Sequence, residues 1–337
     1  MRKGIGPGLM LAALLLGAAC AAAAAATAAG GWAWPAGRAA PKLPGGNAMS
    51  AARVELGRRL FYDADLSVDG SMACSTCHVQ RHAFADGNAT HPGVHGDPGR
   101  RNVPGLANVA WAKSLTWGDP RVRTLEKQML IPLTGTNPVE MGMRGREGEI
   151  AVRLGRDDCY VRMFRDAFPE AGGRIDIGTI GRALGAFQRS LISADTRYDR
   201  WLAGDASALD AEERQGARLF GRSCASCHAG PDLTDGRFHR ARFEPGDRGL
   251  GEITGRRADD GRFRTPGLRN VMLTAPYLHD GSARTVAEAI DRHPAVSPGM
   301  AAADRQAVVR FLGALTDRAF VSDPRYALPR AACGISL

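Results

Sequence analysis

Cys74-Ser75-Thr76-Cys77-His78 and Cys224-Ala225-Ser226-Cys227-His228 are two copies of one pattern, C-x-x-C-H, set 150 residues apart. The pattern is that of covalent c-type haem attachment. Two thiols at this spacing reach the two vinyl groups of one porphyrin, and the imidazole that follows is held beneath the iron as its proximal ligand. Zinc ribbons also use C-x-x-C pairs. Zinc has no need of a histidine straight after the second cysteine, however, and one zinc module spans only a few tens of residues. The chain therefore reads as a carrier of two c-type haems, held by Cys74, Cys77 and His78 and by Cys224, Cys227 and His228.

Each motif is preceded by a helix. Ser50 is a natural N-cap for one running to about Phe61, with Val54, Leu56 and Leu60 apolar. Asp210 to Phe220 is a second amphipathic helix. The segments Glu55-Leu56-Gly57-Arg58-Arg59-Leu60-Phe61 and Arg214-Gln215-Gly216-Ala217-Arg218-Leu219-Phe220 align, ending 13 and 4 residues before their haem cysteines. Between them helical spacing recurs around 123–131, 147–154, 157–167 and 176–193, the last carrying Ile177, Ile180, Leu184, Phe187 and Leu191. After the second motif come a long Gly/Arg/Asp loop and a closing helix from about Pro298 to Leu315. The expected fold is mostly α, two tandem cytochrome c-like domains with long loops and one haem each. They span 48–205 and 206–325, with a flexible linker over 30–47 and a tail over 326–337.

The 337 residues, 44% hydrophobic and 23% charged, have the balance of a soluble globular protein. Arg2 and Lys3, an apolar run from Leu9 to Leu16 and an alanine-rich tract to Ala29 read as a signal peptide over residues 1–29. An uncleaved anchor or a lipid on Cys20 are the alternatives, though Gly17-Ala18-Ala19 lacks the leucine of a good lipobox. Export places the protein in the periplasm, where c-type haem is attached. Removing residues 1–29 lowers the formal charge from +9 to +7, because Arg2 and Lys3 leave with no acidic residue. Such a surface steers an acidic protein partner. No basic stripe interleaved with aromatics marks a nucleic-acid partner. Cys159 and Cys333 remain, able to pair in an oxidising compartment, though nothing in the sequence shows that they meet.

Over about residues 50 to 320 the chain resembles the bacterial di-haem cytochrome c peroxidases and their relative MauG. The resemblance rests on Glu55-Leu56-Gly57 with Leu60-Phe61-Tyr62-Asp63, both haem motifs, Arg100-Arg101-Asn102-Val103-Pro104, and Trp117. It continues through Gln128 and Pro132, Asn137-Pro138-Val139-Glu140-Met141, Pro266-Gly267-Leu268-Arg269-Asn270-Val271, Leu273-Thr274-Ala275-Pro276-Tyr277 and His279-Asp280-Gly281. It implies that the N-terminal haem reacts with hydrogen peroxide while the C-terminal haem is a six-coordinate relay. Peroxide cleavage needs an open iron position, a base to move a proton between the oxygens, and electrons. Glu140 matches the family's distal acid, Gln128 and Pro132 residues over the same pocket, and Trp117 the tryptophan between the haems. Thr134-Gly135 add two residues before Glu140. Asn102, Thr274 and Pro276 match an inter-haem calcium site, whose carbonyl and amide oxygens suit that hard ion. Where MauG has a surface tryptophan that hands oxidising equivalents to its protein substrate, this chain has Arg222; Trp201 is a substitute.

The sixth ligand of the C-terminal haem separates the family's branches. Peroxidases use Met there and MauG uses Tyr; a gapless count from Thr274 lands on His293, with Met300 as the competitor. A thioether raises the haem potential, whereas a second imidazole donates more strongly and lowers it. A histidine here resembles the MbnH-type MauG relatives of methanobactin and copper-responsive loci, which oxidise a tryptophan of a periplasmic copper-binding protein. On the first haem His95, His82 and His91 are all candidate resting ligands. The implied function is a periplasmic di-haem enzyme that uses hydrogen peroxide to oxidise a residue of a partner protein. The alternatives are a peroxidase fed by a small cytochrome c or cupredoxin, and a non-catalytic di-haem electron carrier.

Overall fold

The computed structural model describes residues 32–241, 246–293 and 300–337; the expected signal peptide lies outside them. Ser50 accepts from the Arg53 N–H and starts α1 (Ala51–Phe61). The first haem motif forms a single turn, α2 (Cys74–Cys77), followed by α3 (Leu125–Gln128), α4 (Leu130–Thr134), α5 (Glu147–Leu154), α6 (Asp158–Ala167) and α7 (Ile177–Ser190). Asp176 caps α7 with a capping box to Thr179. Then come α8 (Arg197–Leu202) and α9 (Ala211–Ser223), the latter capped by Asp210 and running three residues past Phe220 to meet Cys224. The second half is completed by α10 (Leu250–Thr254), α11 (Val286–Asp291), α12 (Ala302–Gly313) and α13 (Arg318–Ser322). Among the described residues strand forms two small antiparallel pairs, β1 (Phe238–Arg240) with β2 (Arg262–Arg264) and β3 (Ala331–Ala332) with β4 (Ile335–Ser336). The protein is mostly helical, as its sequence indicates.

The repeat seen in sequence is a repeat of packing. α1 crosses α7 at Gly57, where a Cβ would overlap the Ala183 carbonyl and press on Phe187. α9 crosses α12 at Gly216, where a Cβ would overlap the Ala307 carbonyl and press on Phe311. Glycine is needed at both because backbone meets backbone there. Beneath each crossing a phenylalanine in the last turn of the first helix faces the haem-motif histidine, Phe61 at 6.3 Å from His78 and Phe220 at 6.4 Å from His228. A second pair of matched turns follows. Asn108 and Asn270, each five residues into a Pro-Gly-Leu-x-Asn-Val segment, both sit at positive φ (58° and 61°). Asn108 bonds the backbone of Ser193, and Asn270 bonds the Ser193 hydroxyl and the Asp317 N–H. These buried amides lock the two halves to one linker.

Two hydrophobic clusters result. One gathers α1, α5, α6 and α7 with Phe84; the other gathers Phe220, Leu233, Val308, Phe311, Leu312 and Leu315. The stretch expected as a flexible linker differs from that expectation, because Trp34 is buried in the first cluster, Arg38 pairs with Asp232, and Asn47 bonds the Arg182 carbonyl. Its Gly/Pro composition signals irregular backbone, and the tryptophan side chains override it. At the other end the chain re-enters the first cluster before residue 325. Phe320 packs on Phe84 at 5.7 Å, Tyr326 belongs to that cluster, and Cys333 is disulfide-bonded to Cys159 of α6.

Candidate functional site

His78 and His228 are oriented by the same device. Nδ1 of His78 donates to the Phe84 carbonyl at 2.7 Å, and Nδ1 of His228 to the Leu233 carbonyl at 3.0 Å. Phe84 and Leu233 hold φ at 60° and 52°, a region that non-glycine residues seldom occupy, so each loop bends back to bring its carbonyl beneath the ring. The outer bond fixes the tautomer and leaves Nε2 for a metal. Burial pulls the His78 pKa down and that of His228 to about 4, which keeps both rings in the neutral, ligating form. Burial also pushes the Cys74 and Cys77 thiols up to about 12 and Cys224 to about 11; all four motif cysteines are unbridged. No cluster of three or more His, Cys, Asp or Glu able to hold a metal ion forms among the described residues, so the zinc alternative lacks a ligand set.

Around the second motif opens a cavity of about 1030 Å³ lined by Cys224, Cys227 and His228, with His293 opposite. The two imidazole centroids are 6.2 Å apart. Two imidazoles that ligate one metal from opposite sides, with bonds of about 2 Å each, place their centroids roughly 6 Å apart. Nδ1 of His293 is buried without a hydrogen-bond partner among the described residues. Met300 is not among the residues lining that cavity; it packs on the second hydrophobic cluster, several members of which do line it. Arg264, on the same wall, donates among the described residues to the Thr116 and Thr265 carbonyls and to no carboxylate, and burial pulls its pKa down to about 10. A buried guanidinium without a carboxylate partner calls for an anion, and a haem propionate is one. Cavity size, facing histidines and lone arginine all fit a haem.

At the first motif the residues expected on the distal side come from a loop. Met141 N–H donates to the Pro132 carbonyl at 2.9 Å and Met143 N–H to the Leu133 carbonyl, so Glu140 lies beside Pro132 despite the two extra residues. Thr134 and Gly135 are absorbed where α4 ends, bonding back to Leu130 and Ile131. Gln128 stands four residues before Pro132 across the α3–α4 junction. The Val94 N–H bonds the Glu140 carbonyl, and Gly93 lies so close to Val139 that a Cβ would overlap its carbonyl. Burial raises the pKa of Glu140 above the usual carboxylate range, with His91 pulling the other way. Of the three histidines considered as resting ligands, His95 is exposed, with the exposed Asp69 as its charged neighbour, and His82 lies on Gly87 and Arg81. His91 is the one that feels both Glu140 and His78, and its Nδ1 is held by the buried Asp86 at 2.7 Å.

Between the halves, Trp117 is 9% exposed, donates its indole N–H to the Asn102 carbonyl at 2.7 Å and lines the large cavity. Asn102, Thr274 and Pro276 share that wall. The Asn102 amide nitrogen is committed to the Asn88 and Ala89 carbonyls, which leaves its Oδ1 as the oxygen available to a cation. Arg264 and Asp86 were missed by sequence reasoning, which named His91 as a candidate ligand but not its bond to Asp86. For Arg264, one of many arginines, nothing in the local sequence signals it; for Asp86 the signal was a carboxylate eight residues past a haem histidine.

The sequence profile of a family described as di-haem cytochrome c peroxidase matches residues 51–207. The methylamine utilization protein MauG of Methylorubrum extorquens is 34% identical over 257 residues, covering 74% of this chain and 70% of its own length. The cytochrome c551 peroxidase of Pseudomonas aeruginosa is 32% identical over 285 residues, covering 81% of each. Among solved structures, a MauG-like protein associated with microbial copper homeostasis superposes with a TM-score of 0.84 at 36% identity, covering 88% of this chain and 99% of that one.

Proposed function

The chain belongs to the di-haem cytochrome c peroxidase family, and on that premise we propose that it is a MauG-like periplasmic enzyme that uses hydrogen peroxide to oxidise a residue of a partner protein. The observation that carries this reading is His293 facing His228 across the cavity. A second imidazole in place of a thioether lowers the potential, which suits a site that shares oxidising equivalents rather than one primed by a stored electron. Bound haem would supply the iron at which peroxide is reduced and a second centre that shares the oxidising equivalents.

The chain's own groups do the rest. Glu140 takes a proton from one oxygen of hydrogen peroxide and gives it to the other, so that the departing oxygen leaves as water. The burial that raises its pKa makes it a stronger base and a readier acid at neutral pH than an exposed glutamate. Pro132 and Gln128 fill the space around it and limit bulk water. Trp117 is fixed by its bond to Asn102 where it can couple the two halves, and Asn102 Oδ1 with the carbonyls of Thr274 and Pro276 would hold one calcium ion. The likeness to a MauG-like protein associated with copper homeostasis supports a partner protein that binds copper. A second reading, peroxide reduction with electrons from a small cytochrome c or cupredoxin, is favoured by the similarity to the Pseudomonas aeruginosa peroxidase.

Electron paramagnetic resonance of the resting ferric protein tests the assignment. We expect one high-spin signal and one low-spin bis-imidazole signal, the latter lost in His293→Ala. An unchanged low-spin signal in that variant removes His293 as a ligand. Activity that appears only after half-reduction favours the second reading.

A further inference from the structure

Trp32, Trp34 and Trp111 are three of the chain's five tryptophans, and they touch one another in a line. Trp111 meets Trp34 edge-on with centroids 5.6 Å apart, and Trp34 meets Trp32 at 6.5 Å. Both separations are those of packed aromatic pairs. The line has unlike ends. Trp111 stands on the wall of the cavity that holds His228 and His293, Trp34 is 5% exposed, and Trp32 is half-buried at the surface. Core packing explains the apolar contacts, since any large side chain fills space. It does not explain three indoles in succession, nor their polar dressing. The Arg38 guanidinium lies 3.6 Å over the Trp111 ring and is itself held by Asp232 through two hydrogen bonds. The Trp111 N–H donates to the Ala39 carbonyl at 2.9 Å.

We propose that Trp111, Trp34 and Trp32 form a relay of oxidisable side chains that carries electrons one at a time from the surface at Trp32 to the second-motif cavity. The proposal rests on the peroxide-dependent reading above and names where a partner protein's electrons enter. Indole and phenol are the ring side chains most readily oxidised by one electron, and rings in contact exchange electrons quickly. The surroundings give the line a direction. A cation over Trp111 makes an electron harder to remove there, while among the described residues no cation lies over the Trp34 or Trp32 ring. The vacancy is therefore more stable toward the outer end, and electrons run inward. The acceptor on the Trp111 N–H is a carbonyl, which is no base, so the proton stays and the relay moves electrons alone.

The electron count closes on known reactants. An aromatic side chain of the partner loses two electrons in two single steps and releases its protons to solvent. Those electrons and two protons reduce one hydrogen peroxide to two waters, and each tryptophan returns to its starting state. A rival line exists on the other side of the cavity. Trp201 stacks on Tyr198 at 6.0 Å, Tyr198 meets Phe311 at 5.1 Å, Phe311 meets Phe220 at 5.2 Å, and Phe220 faces His228 at 6.4 Å. It interposes two phenylalanines, whose rings do not give up an electron as indoles do.

The test treats the holoprotein with hydrogen peroxide in the absence of a donor and locates added oxygen by peptide mass spectrometry. Peroxide consumption with ascorbate is followed in parallel. Trp32 and Trp34 should gain oxygen before Trp201, which is also half-buried and so reports direct attack by bulk peroxide. In Trp111→Phe the labelling of Trp32 should fall about tenfold or more, the change that a barrier higher by roughly 1.4 kcal/mol gives. In Arg38→Gln oxygen should accumulate on Trp111, a response that a packing role does not produce. If Trp111→Phe fails to bind both haems, Trp32→Phe serves instead, and oxygen should then stop at Trp34. Labelling of Trp201 and Tyr198 in place of the triad, or labelling of Trp32 that Trp111→Phe leaves unchanged, overturns the relay. Peroxide left unconsumed with ascorbate overturns the parent reading as well, whereas consumption without triad labelling overturns the relay alone.

Discussion

His78 and His228 each give their Nδ1 proton to a carbonyl five or six residues on, behind a residue at positive φ, and each lies under a helix crossing that closes on a glycine. Opposite them the halves diverge. The first half places Glu140 and the Asp86–His91 pair near its motif, and the second places His293 directly across from His228. The helices that repeat hold the proximal side, and the loops that do not repeat decide what faces it. A duplicated scaffold thus presents two different sets of facing side chains, because these come from segments of different length and origin.

The sharpest way to break this comparison is at Glu140. Glu140→Gln should slow the reaction with peroxide about 10²–10⁴-fold, the usual worth of a placed acid–base group, while the low-spin signal of the second site persists. Stopped-flow absorbance reads the rate, and a loss under tenfold would remove Glu140 from the role. In the unaltered protein the rate should fall with pH as the carboxylate is protonated. Because burial raises its pKa, the midpoint should lie above the ordinary glutamate value of 4.5. A midpoint at or below that value would count against the buried setting.

Stability distinguishes the halves next. The bond between Cys159 and Cys333 closes a loop of 174 residues, and removing it by Cys159→Ser with Cys333→Ser should cost about 2–4 kcal/mol. Thermal melting followed at each haem should show the His78 site lost first, since both cysteines belong to that half. Gly57→Ala and Gly216→Ala should each cost about 1–3 kcal/mol through overpacking, each loosening its own haem; equal loosening of both haems by either one would deny the halves their separate crossings. The smallest effect lies at the seam. Arg101 holds Asp247 through two hydrogen bonds and keeps its pKa near 2. A depressed carboxylate pKa gives stability that is present above the unfolded value near 3.8 and is lost as pH falls toward 2. With solvent screening that is about 1 kcal/mol or less, so Asp247→Asn should melt slightly lower than the parent at pH 6 and no lower at pH 2.

The long helices were legible because their ends are written chemically: Ser50, Asp176 and Asp210 cap α1, α7 and α9, and apolar spacing fills their inner faces. α8, α10, α11 and α13 are five or six residues long and are held by tertiary contacts rather than by periodicity, so no window of sequence shows them. The haem motifs were legible because their spacing is chemical, whereas Glu140 was singled out only through the family resemblance of Asn137-Pro138-Val139-Glu140-Met141. Arg264 was not, since its importance lies in lacking a partner, which only packing reveals. The 30–47 stretch misled through composition, for one buried Trp34 outweighs a run of glycines and prolines. The Cys159–Cys333 bond could not be derived across such a separation.

The return of the chain's last residues to its first core has a consequence for how the molecule is made. Phe320 against Phe84, Tyr62 bonded to the Tyr326 carbonyl, Arg58 to the Ala327 carbonyl and Cys333 to Cys159 make the second half a guest inserted within the first. Synthesis runs from the N-terminus, so the host begins first and is finished last. A nascent or truncated chain that stops before residue 317 leaves the half bearing Glu140 without its closing side chains. The host pocket is completed only after the guest that shares its work has been delivered.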